Sequence, residues 1–163
     1  MTDTELMKFF EHHYREQVRF DKHMGMELTV KSPGEVSYCL KVGEQHLTAP
    51  DSAHGGVAAA MMDATLGVAA LSYAVTQGNL CATVEFKINY LRQARPGTTL
   101  VSSGKVKNIG KRLVVSRADI VEEETGDLIA TGLGTFTQYP AGRRKDVQHM
   151  ADAQVSFSED EIS

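Results

Sequence analysis

The stretch that decides the fold reads His54-Gly55-Gly56-Val57-Ala58-Ala59-Ala60-Met61-Met62-Asp63 and begins a nearly uncharged run that continues to about residue 76. Such a run predicts a helix that is buried on every side, because it has no polar face to present to water. The two glycines fall where this helix begins, so their backbone N–H groups lack partners inside the helix. With the helix dipole behind them they could stabilise an oxyanion, although a tight loop or close packing is the alternative.

Asp63 is the only charged residue between Gly55 and Val75. A membrane span is rejected, because the run is rich in Ala and Gly, lacks flanking Lys or Arg, and would insert a charge at a cost of about 2.5–3.5 kcal/mol. In a buried helix such a carboxylate has to be paired, solvated through a cleft, or kept for function. The structural alternative is that it caps or bridges a neighbouring subunit.

Strand patterns precede and follow this helix. A polar loop at 44–52 leads into it from a half-buried strand at 36–42, which comes after the Pro33-Gly34 turn. From residue 80 the period becomes two, which predicts one face with Val84, Phe86, Ile88 and Tyr90 and an opposite face with Thr83, Glu85, Lys87 and Asn89. Three further strands at 98–109, 112–123 and 128–138 are joined by hairpin turns and form an antiparallel meander. One buried helix followed by adjacent strands predicts an α+β domain.

The chain of 163 residues is about the size of one domain. We expect an accessory helix within residues 1–24, since 4–20 are amphipathic, a central domain at 25–139, and a polar tail at 140–163 that is acidic at its end and flexible. Two cysteines without CxxC spacing disfavour disulfides and zinc. A net charge of −4 and no nucleic-acid motif disfavour a nucleic-acid partner, and the charged N-terminus predicts a cytoplasmic protein.

Two motifs together resemble the PaaI-type hotdog acyl-CoA thioesterase family. Residues 54–63 match its HGG-x6-D signature, and residues 84–97 match its V-x-F-x-I-N-Y-L-R-x-A-x-x-G strand, within a likeness that covers about 25–138. The resemblance implies a hotdog fold, in which a curved antiparallel sheet wraps one long helix. It also implies a homodimer with each active site between subunits. Because a small curled sheet leaves an edge and an apolar face to cover, we expect the dimers to pair into a homotetramer.

The resemblance also implies residue roles. Asp63 would act as general base or nucleophile, and the N–H of Gly55 from the other subunit would bind the thioester carbonyl. Thr83 would help hold the water or the carboxylate, and His54 would shape the loop. Such enzymes usually carry Asn or Gln where this chain has Thr48, whose hydroxyl can still bond a water at shorter reach.

Eight basic residues and a single acid lie between Glu85 and Arg117. This surplus suits the phosphates of coenzyme A, although a solvated sheet face is the alternative. The residues expected to bind substrate are His54, Gly56, Asn89, Arg92, Gly110, Lys111 and Arg112. No metal and no cofactor beyond the coenzyme A of the substrate are expected, and the acyl group would be aryl or short to medium in length. An acyl-CoA sensor without catalysis, or a hotdog hydratase or dehydratase, are the alternative functions.

Overall fold

One long helix and a six-stranded sheet make up the body of the computed structural model, which describes residues 2–143. The helices are α1 (Asp3–Gln17), α2 (Arg19–Met24) and α3 (Gly55–Ala74), with single 3-10 turns at Glu44–His46, Val75–Gln77 and Ala141–Arg143. The strands are β1 (Met26–Ser32), β2 (Glu35–Lys41), β3 (Leu47–Ala49), β4 (Ser52–Ala53), β5 (Asn79–Tyr90), β6 (Thr99–Ile109), β7 (Leu113–Glu122) and β8 (Leu128–Pro140). The expected tail beyond residue 143 lies outside the described residues, and the three domain boundaries stay predictions.

The main sheet is antiparallel throughout and has the strand order β1-β2-β6-β7-β8-β5. Strands at both of its ends contact α3, so the sheet curls around the helix. The predicted hotdog fold and the meander of β6 to β8 are therefore confirmed. Strand β1 was not predicted, although Met26 and Leu28 alternate with exposed neighbours. The first predicted strand followed the turn at Gly34, whose φ of 82° suits glycine.

Small residues let α3 lie directly on the middle of the sheet. A Cβ added to Gly104 would lie 2.7 Å from Cγ2 of Thr65, and one added to Gly132 would lie 2.6 Å from Sδ of Met62. Larger residues at these positions would push the helix away. The helix is long and apolar enough to cross a membrane by composition, yet most of it is buried within this domain, as the sequence predicted for a core helix.

The N-terminal segment forms two helices where the sequence predicted one over 4–20. Val18, in an extended conformation, separates them, and Gly25 ends the second helix with a φ of 71°. A capping box begins α1, since Glu5 N donates to Thr2 Oγ1 at 3.3 Å and Thr2 N donates to the Glu5 carboxylate at 2.7 Å. Helix α1 packs on β1, the first edge of the sheet.

Strand β5 forms the opposite edge of the sheet and contains a bulge. Thr83 and Glu85 pair with the consecutive residues Phe136 and Thr135 of β8, so Val84 is an extra residue. The bulge shifts the alternation of the strand, and Thr83 and Phe86 both face the helix. The prediction that these two side chains lie on opposite faces is therefore wrong, because period two holds only for an uninterrupted strand.

Candidate active site

The start of α3 distinguishes the two glycines. His54 caps the helix, because its Nδ1 accepts the N–H of Gly56 at 2.8 Å. A Cβ on Gly56 would lie 2.8 Å from that same Nδ1, so the cap requires glycine there. The N–H of Gly55 has no acceptor among the described residues. Of the pair, Gly55 is thus the residue whose N–H remains available to a ligand.

Tyr90 contacts the start of α3 and is a site residue that was not predicted from the sequence. Its hydroxyl donates to the carbonyl oxygen of Gly55 at 3.1 Å, and its ring lies beside that glycine. A pocket of about 330 Å³ opens between the start of α3 and the segment after β5, with His54, Gly55, Tyr90 and Arg92 among its walls. The position of Tyr90 within the quoted strand motif was the available signal.

His46 supports the loop that precedes α3. It is 3% exposed, its Nδ1 accepts the N–H of Gly43 at 3.0 Å, and its Nε2 lies 3.0 Å from the carbonyl oxygen of Met24. The proton is therefore assigned to Nε2, which donates to that carbonyl. The backbone carbonyl of His46 also accepts the N–H of His54 at 2.7 Å. No pattern in the sequence indicated this role, since the segment is polar and contains no periodic pattern.

Asp63 lies partly buried on α3 and faces β5. The hydroxyl of Thr83 donates to its Oδ1 at 3.1 Å, which places together two of the residues predicted to be catalytic. No lysine, arginine or histidine forms an ion pair with Asp63 within residues 2–143. Among the described residues the carboxylate therefore has an orienting hydroxyl and no neutralising partner.

The remaining predicted residues are spread over the surface. Thr48 is exposed on β3, and Asn89 is exposed on the face of β5 that points away from α3. Arg92 lies beside the pocket and donates to the carbonyl oxygen of Leu128 at 3.1 Å. The residues of 110–112 form the turn between β6 and β7, held by a bond of 2.6 Å from Nε2 of Gln138 to the carbonyl oxygen of Gly110.

One chain therefore contains three separate groups of predicted site residues. The first is the start of α3 with Arg92, the second is Asp63 with Thr83, and the third is the turn at 110–112. Strand β5 runs from near the third group, where Cys81 pairs with Gln138, to the first group at Tyr90. The exposed cations Lys105 and Arg117 on the outer face of the sheet are paired with Glu35 at 3.0 Å and Asp119 at 3.5 Å.

A buried polar cluster lies behind Asp63, and the sequence did not predict it. The hydroxyl of Tyr38 donates to Oδ2 of Asp21 at 2.6 Å, and these side chains are 1% and 8% exposed. Burial raises the pKa of Asp21, the bond from Tyr38 opposes that shift, and the negative charge of Asp63 adds to it. Burial likewise raises the pKa of Tyr14, with contributions from the charges of Asp21 and Asp63.

The cysteines have the properties of packing residues. Burial raises the pKa of Cys81 to about 12, and its thiol lies 3.8 Å from the carbonyl oxygen of Gly67. Burial also raises the pKa of Cys39. Neither thiol is therefore activated as a nucleophile. In the part of the chain that the structure describes, no group of three or more His, Cys, Asp or Glu side chains could hold a metal ion.

Comparison with known proteins yields one family. The model of the thioesterase superfamily matches residues 51–129. Human acyl-coenzyme A thioesterase 13 is 32% identical over 117 residues, which are 71% of this chain and 82% of that protein. A protein of Deinococcus radiodurans described as a putative esterase is 27% identical over 125 residues, which are 77% of this chain and 82% of that protein.

Solved structures show the same fold. The PaaI protein from the phenylacetic acid degradation operon of E. coli aligns with a TM-score of 0.74 at 22% identity, over 85% of this chain and 96% of that chain. Zebrafish thioesterase superfamily member 2 aligns with a TM-score of 0.68 at 25% identity, over 84% of this chain and 98% of that chain.

Proposed function

The chain belongs to the thioesterase superfamily, as its two motifs predicted, and we propose that it hydrolyses acyl-CoA thioesters with Asp63 as the reacting carboxylate. The observation that carries the proposal is a partly buried carboxylate on the core helix, oriented by Thr83 at 3.1 Å and without a cation partner among residues 2–143. A carboxylate that is not engaged by a cation can accept a proton from water or attack the thioester.

Two copies of the chain are needed to assemble the proposed site. Gly55 and Asp63 are eight residues apart on one helix, which at the helical rise is about 12 Å along the axis. A carbonyl oxygen that accepts the N–H of Gly55 would lie about 3 Å from it, beyond the reach of water held by Asp63 of the same chain. The oxyanion donor therefore has to come from a second subunit.

Strand β5 provides a surface where a second subunit can pair. It is an edge strand, and its Val84 and Tyr90 are 57% and 53% exposed. If β5 paired with its own copy about a two-fold axis, the strands would be antiparallel and the Tyr90 end of one would meet the Asn79 end of the other. Gly55 of the partner subunit would then approach Asp63, which gives two equivalent sites per dimer. Pairing of dimers into a tetramer, and a cytoplasmic location, stay predictions.

The chemistry follows from these positions. Asp63 takes a proton from water, and the resulting hydroxide attacks the thioester carbonyl; direct attack by Asp63, followed by hydrolysis of the anhydride, is the other route open to it. The negative charge that develops on the carbonyl oxygen is stabilised by the free N–H of Gly55 and by the helix dipole. The C–S bond then breaks, and the proton that Asp63 took from water passes to the sulfur, so that coenzyme A leaves as the thiol and Asp63 is a carboxylate again.

The roles of the surrounding residues differ in this proposal. His54 and Gly56 fix the start of α3, and Tyr90 holds Gly55 by its carbonyl, so these residues position the oxyanion donor. Lys111 and Arg112 are exposed cations that suit the phosphates of coenzyme A. Arg92 donates to the Leu128 carbonyl and pairs with Asp127 at 3.8 Å, so it would have to exchange these partners to bind a phosphate. The exposed Thr48 and Asn89 would take part only if the partner subunit or the substrate covers them.

Replacing Asp63 by Asn tests the proposal. The change keeps the size of the side chain and removes its charge and basicity, so turnover should fall by about 10²- to 10⁴-fold while acyl-CoA binding persists. Release of free thiol from aryl, short and medium acyl-CoAs measures turnover, and calorimetry measures binding. Asp119→Asn is the matched control, because that residue lies on the outer face of the sheet, and it should keep wild-type turnover.

Three results would contradict the assignment. A folded Asp63→Asn protein with near wild-type turnover would move the base to another acid, with Glu85 on β5 as the nearest choice in the strand. Loss of the oligomer in the variant would show that Asp63 is a structural bridge. Binding of acyl-CoAs by the wild type without any turnover would favour the sensor function.

A further inference from the structure

One loop leads from the sheet to the proposed oxyanion donor. It leaves β2, forms the 3-10 turn Glu44–His46 and the hairpin of β3 and β4, and reaches α3 at Gly55. Within residues 43–56, all of which the structure describes, His46 is the only buried residue, at 3% exposed. The other side chains of this loop are exposed or partly buried and gain less from packing, so the position of the loop depends on His46.

The ring of His46 joins the loop to two other parts of the chain. Its Nδ1 accepts the N–H of Gly43 at 3.0 Å, next to Val42, whose own N–H donates to the carbonyl oxygen of Thr98 at 2.9 Å. Its Nε2 donates to the carbonyl oxygen of Met24, at the end of α2, at 3.0 Å. The ring makes both bonds only while it is neutral, because one nitrogen has to accept and the other has to donate.

The main chain of His46 links this buried ring to the start of α3. Its carbonyl oxygen accepts the N–H of His54 at 2.7 Å, which closes the base of the hairpin of β3 and β4. His54 in turn caps α3 by accepting the N–H of Gly56, beside the proposed oxyanion donor Gly55. One backbone hydrogen bond thus connects His46 with the residue that caps the helix.

We infer that His46 is a positioning residue for the hydrolysis: its neutral ring fixes the base of the hairpin, and the hairpin fixes the N–H of Gly55 where the oxyanion forms. The inference rests on the proposed function, since it concerns the donor that stabilises the charge of the reacting thioester. His46 is buried and acts through the loop, without contact to the substrate. Such a residue can control kcat, because a displacement of about 1 Å at a reacting group can cost about 10²-fold in rate.

His46→Leu tests the inference, since leucine keeps an apolar side chain at this position and removes both ring bonds. We expect kcat to fall by about 10²-fold while KM stays near the wild-type value, because the groups that hold the substrate are unchanged. The factor should be the same for butyryl-, octanoyl- and benzoyl-CoA, since each of these esters forms the same oxyanion. Thiol release measures kcat and KM for all three.

Two conservative variants separate positioning from folding. In His46→Asn the side-chain oxygen can replace Nδ1 and accept the Gly43 N–H, and in His46→Gln the amide nitrogen can replace Nε2 and donate to the Met24 carbonyl. Each variant keeps one of the two bonds, so each should have a kcat between those of the wild type and His46→Leu. If His46→Leu does not melt cooperatively, a lowered kcat with unchanged KM in these two variants is the expected result.

Glu44→Leu and Glu11→Ala are the control variants. Glu44 is exposed on the same 3-10 turn, so its replacement should leave kcat and KM unchanged. Glu11 lies outside the loop, and its carboxylate accepts the N–H of Val30 at 2.7 Å. Its replacement should lower the Tm without lowering kcat, which shows whether a loss of stability alone affects turnover.

The bonds of His46 can also be measured without a substrate. Nitrogen–proton correlation spectra of the wild type at mildly alkaline pH should show a neutral His46 ring with its proton on Nε2. Amide hydrogen exchange at His54 should be faster in His46→Leu than in the wild type, because the loop that contains the acceptor is no longer held by the ring.

The outcomes distinguish this inference from the proposed function. A folded His46→Leu protein with wild-type kcat would overturn the inference, and so would a variant in which KM changes and kcat does not. A wild-type ring with its proton on Nδ1 would overturn it as well. A wild type that releases no thiol from any of the three esters would instead contradict the proposed function, while the exchange rate at His54 would still decide whether His46 holds the loop.

Discussion

The two edges of the sheet are treated differently by the rest of the chain. Strand β1 is covered by α1, whose Glu11 accepts the Val30 N–H, and none of its residues is among the exposed large hydrophobics of the described part of the chain. Strand β5 is longer, its outer edge pairs with no strand among residues 2–143, and it exposes Val84 and Tyr90.

Edge strands are usually protected because their free N–H and C=O groups can pair with other chains. Within the part of the chain that the structure describes, one edge is protected and the other is free, and the free edge is the one that contains Thr83 and ends beside Gly55. The difference indicates that the open edge serves assembly of the site, whereas the closed edge serves stability. Three substitutions test this division.

The largest effect is expected for Val84→Asp on the open edge. Pairing of β5 with its copy would bring two added carboxylates close together near the middle of the strand, so the protein should become monomeric. Turnover should then fall by about 10²- to 10³-fold, the loss expected when an oxyanion donor is removed. Light scattering gives the mass, and thiol release gives the turnover of the same sample.

Phe20→Asp is the matched control for this change. Phe20 on α2 is as exposed as Val84, at 57%, and belongs to neither edge strand. Its replacement should leave both mass and turnover unchanged. A Val84→Asp protein that stays oligomeric and active would show that the open edge is not the interface, and a wild type that is monomeric at micromolar concentration would rule out the shared site.

An intermediate effect is expected for Glu11→Ala on the closed edge. The change leaves the Val30 N–H without its charged acceptor, which should lower the free energy of unfolding by about 2 kcal/mol and the Tm by several degrees. Oligomer mass should not change. Glu16→Ala is the control, because its pair with Lys22 is exposed and should contribute little. A loss of oligomer in Glu11→Ala would mean that β1 also serves assembly.

The smallest effect is expected for Thr83→Val, which keeps the shape of the side chain and removes its hydroxyl. Asp63 would lose the bond that orients it, so kcat should fall by about tenfold while mass and Tm stay near the wild-type values. Thr98→Val, which removes an exposed hydroxyl bonded only to the nearby Arg95 carbonyl, is the control. An unchanged kcat in Thr83→Val would remove Thr83 from the site.

Much of the fold could be predicted because its signals are local. The core helix follows from an unbroken apolar run, and the meander follows from period two between turn residues. Strand β1 was missed although its signals are also local, since Met26 and Leu28 alternate and the helix-ending Gly25 directly precedes them. The break at Val18 depends on how two short helices pack on the sheet, and the sequence between them contains no Gly or Pro.

The site was predictable where its residues belong to motifs, and less so where it depends on contacts between distant parts of the chain. Asp63, Gly55 and Thr83 lie in or beside the two quoted motifs, and the bond between Asp63 and Thr83 is present. The Tyr38–Asp21 pair joins residues 17 positions apart on different elements, and neither residue type is unusual in its own segment. Such pairs become visible only when the elements are packed together.

The bulge at Val84 has a consequence for how this chain can change in evolution. Because Val84 is an extra residue, Thr83 before it and Tyr90 after it can both face the core helix. Loss of a single codon there would reverse one half of the strand, turning either Thr83 away from Asp63 or Tyr90 away from Gly55. Insertions and deletions should therefore be excluded from β5 across descendants of this gene, while the exposed turn at Gly126, with a φ of 75°, can vary in length.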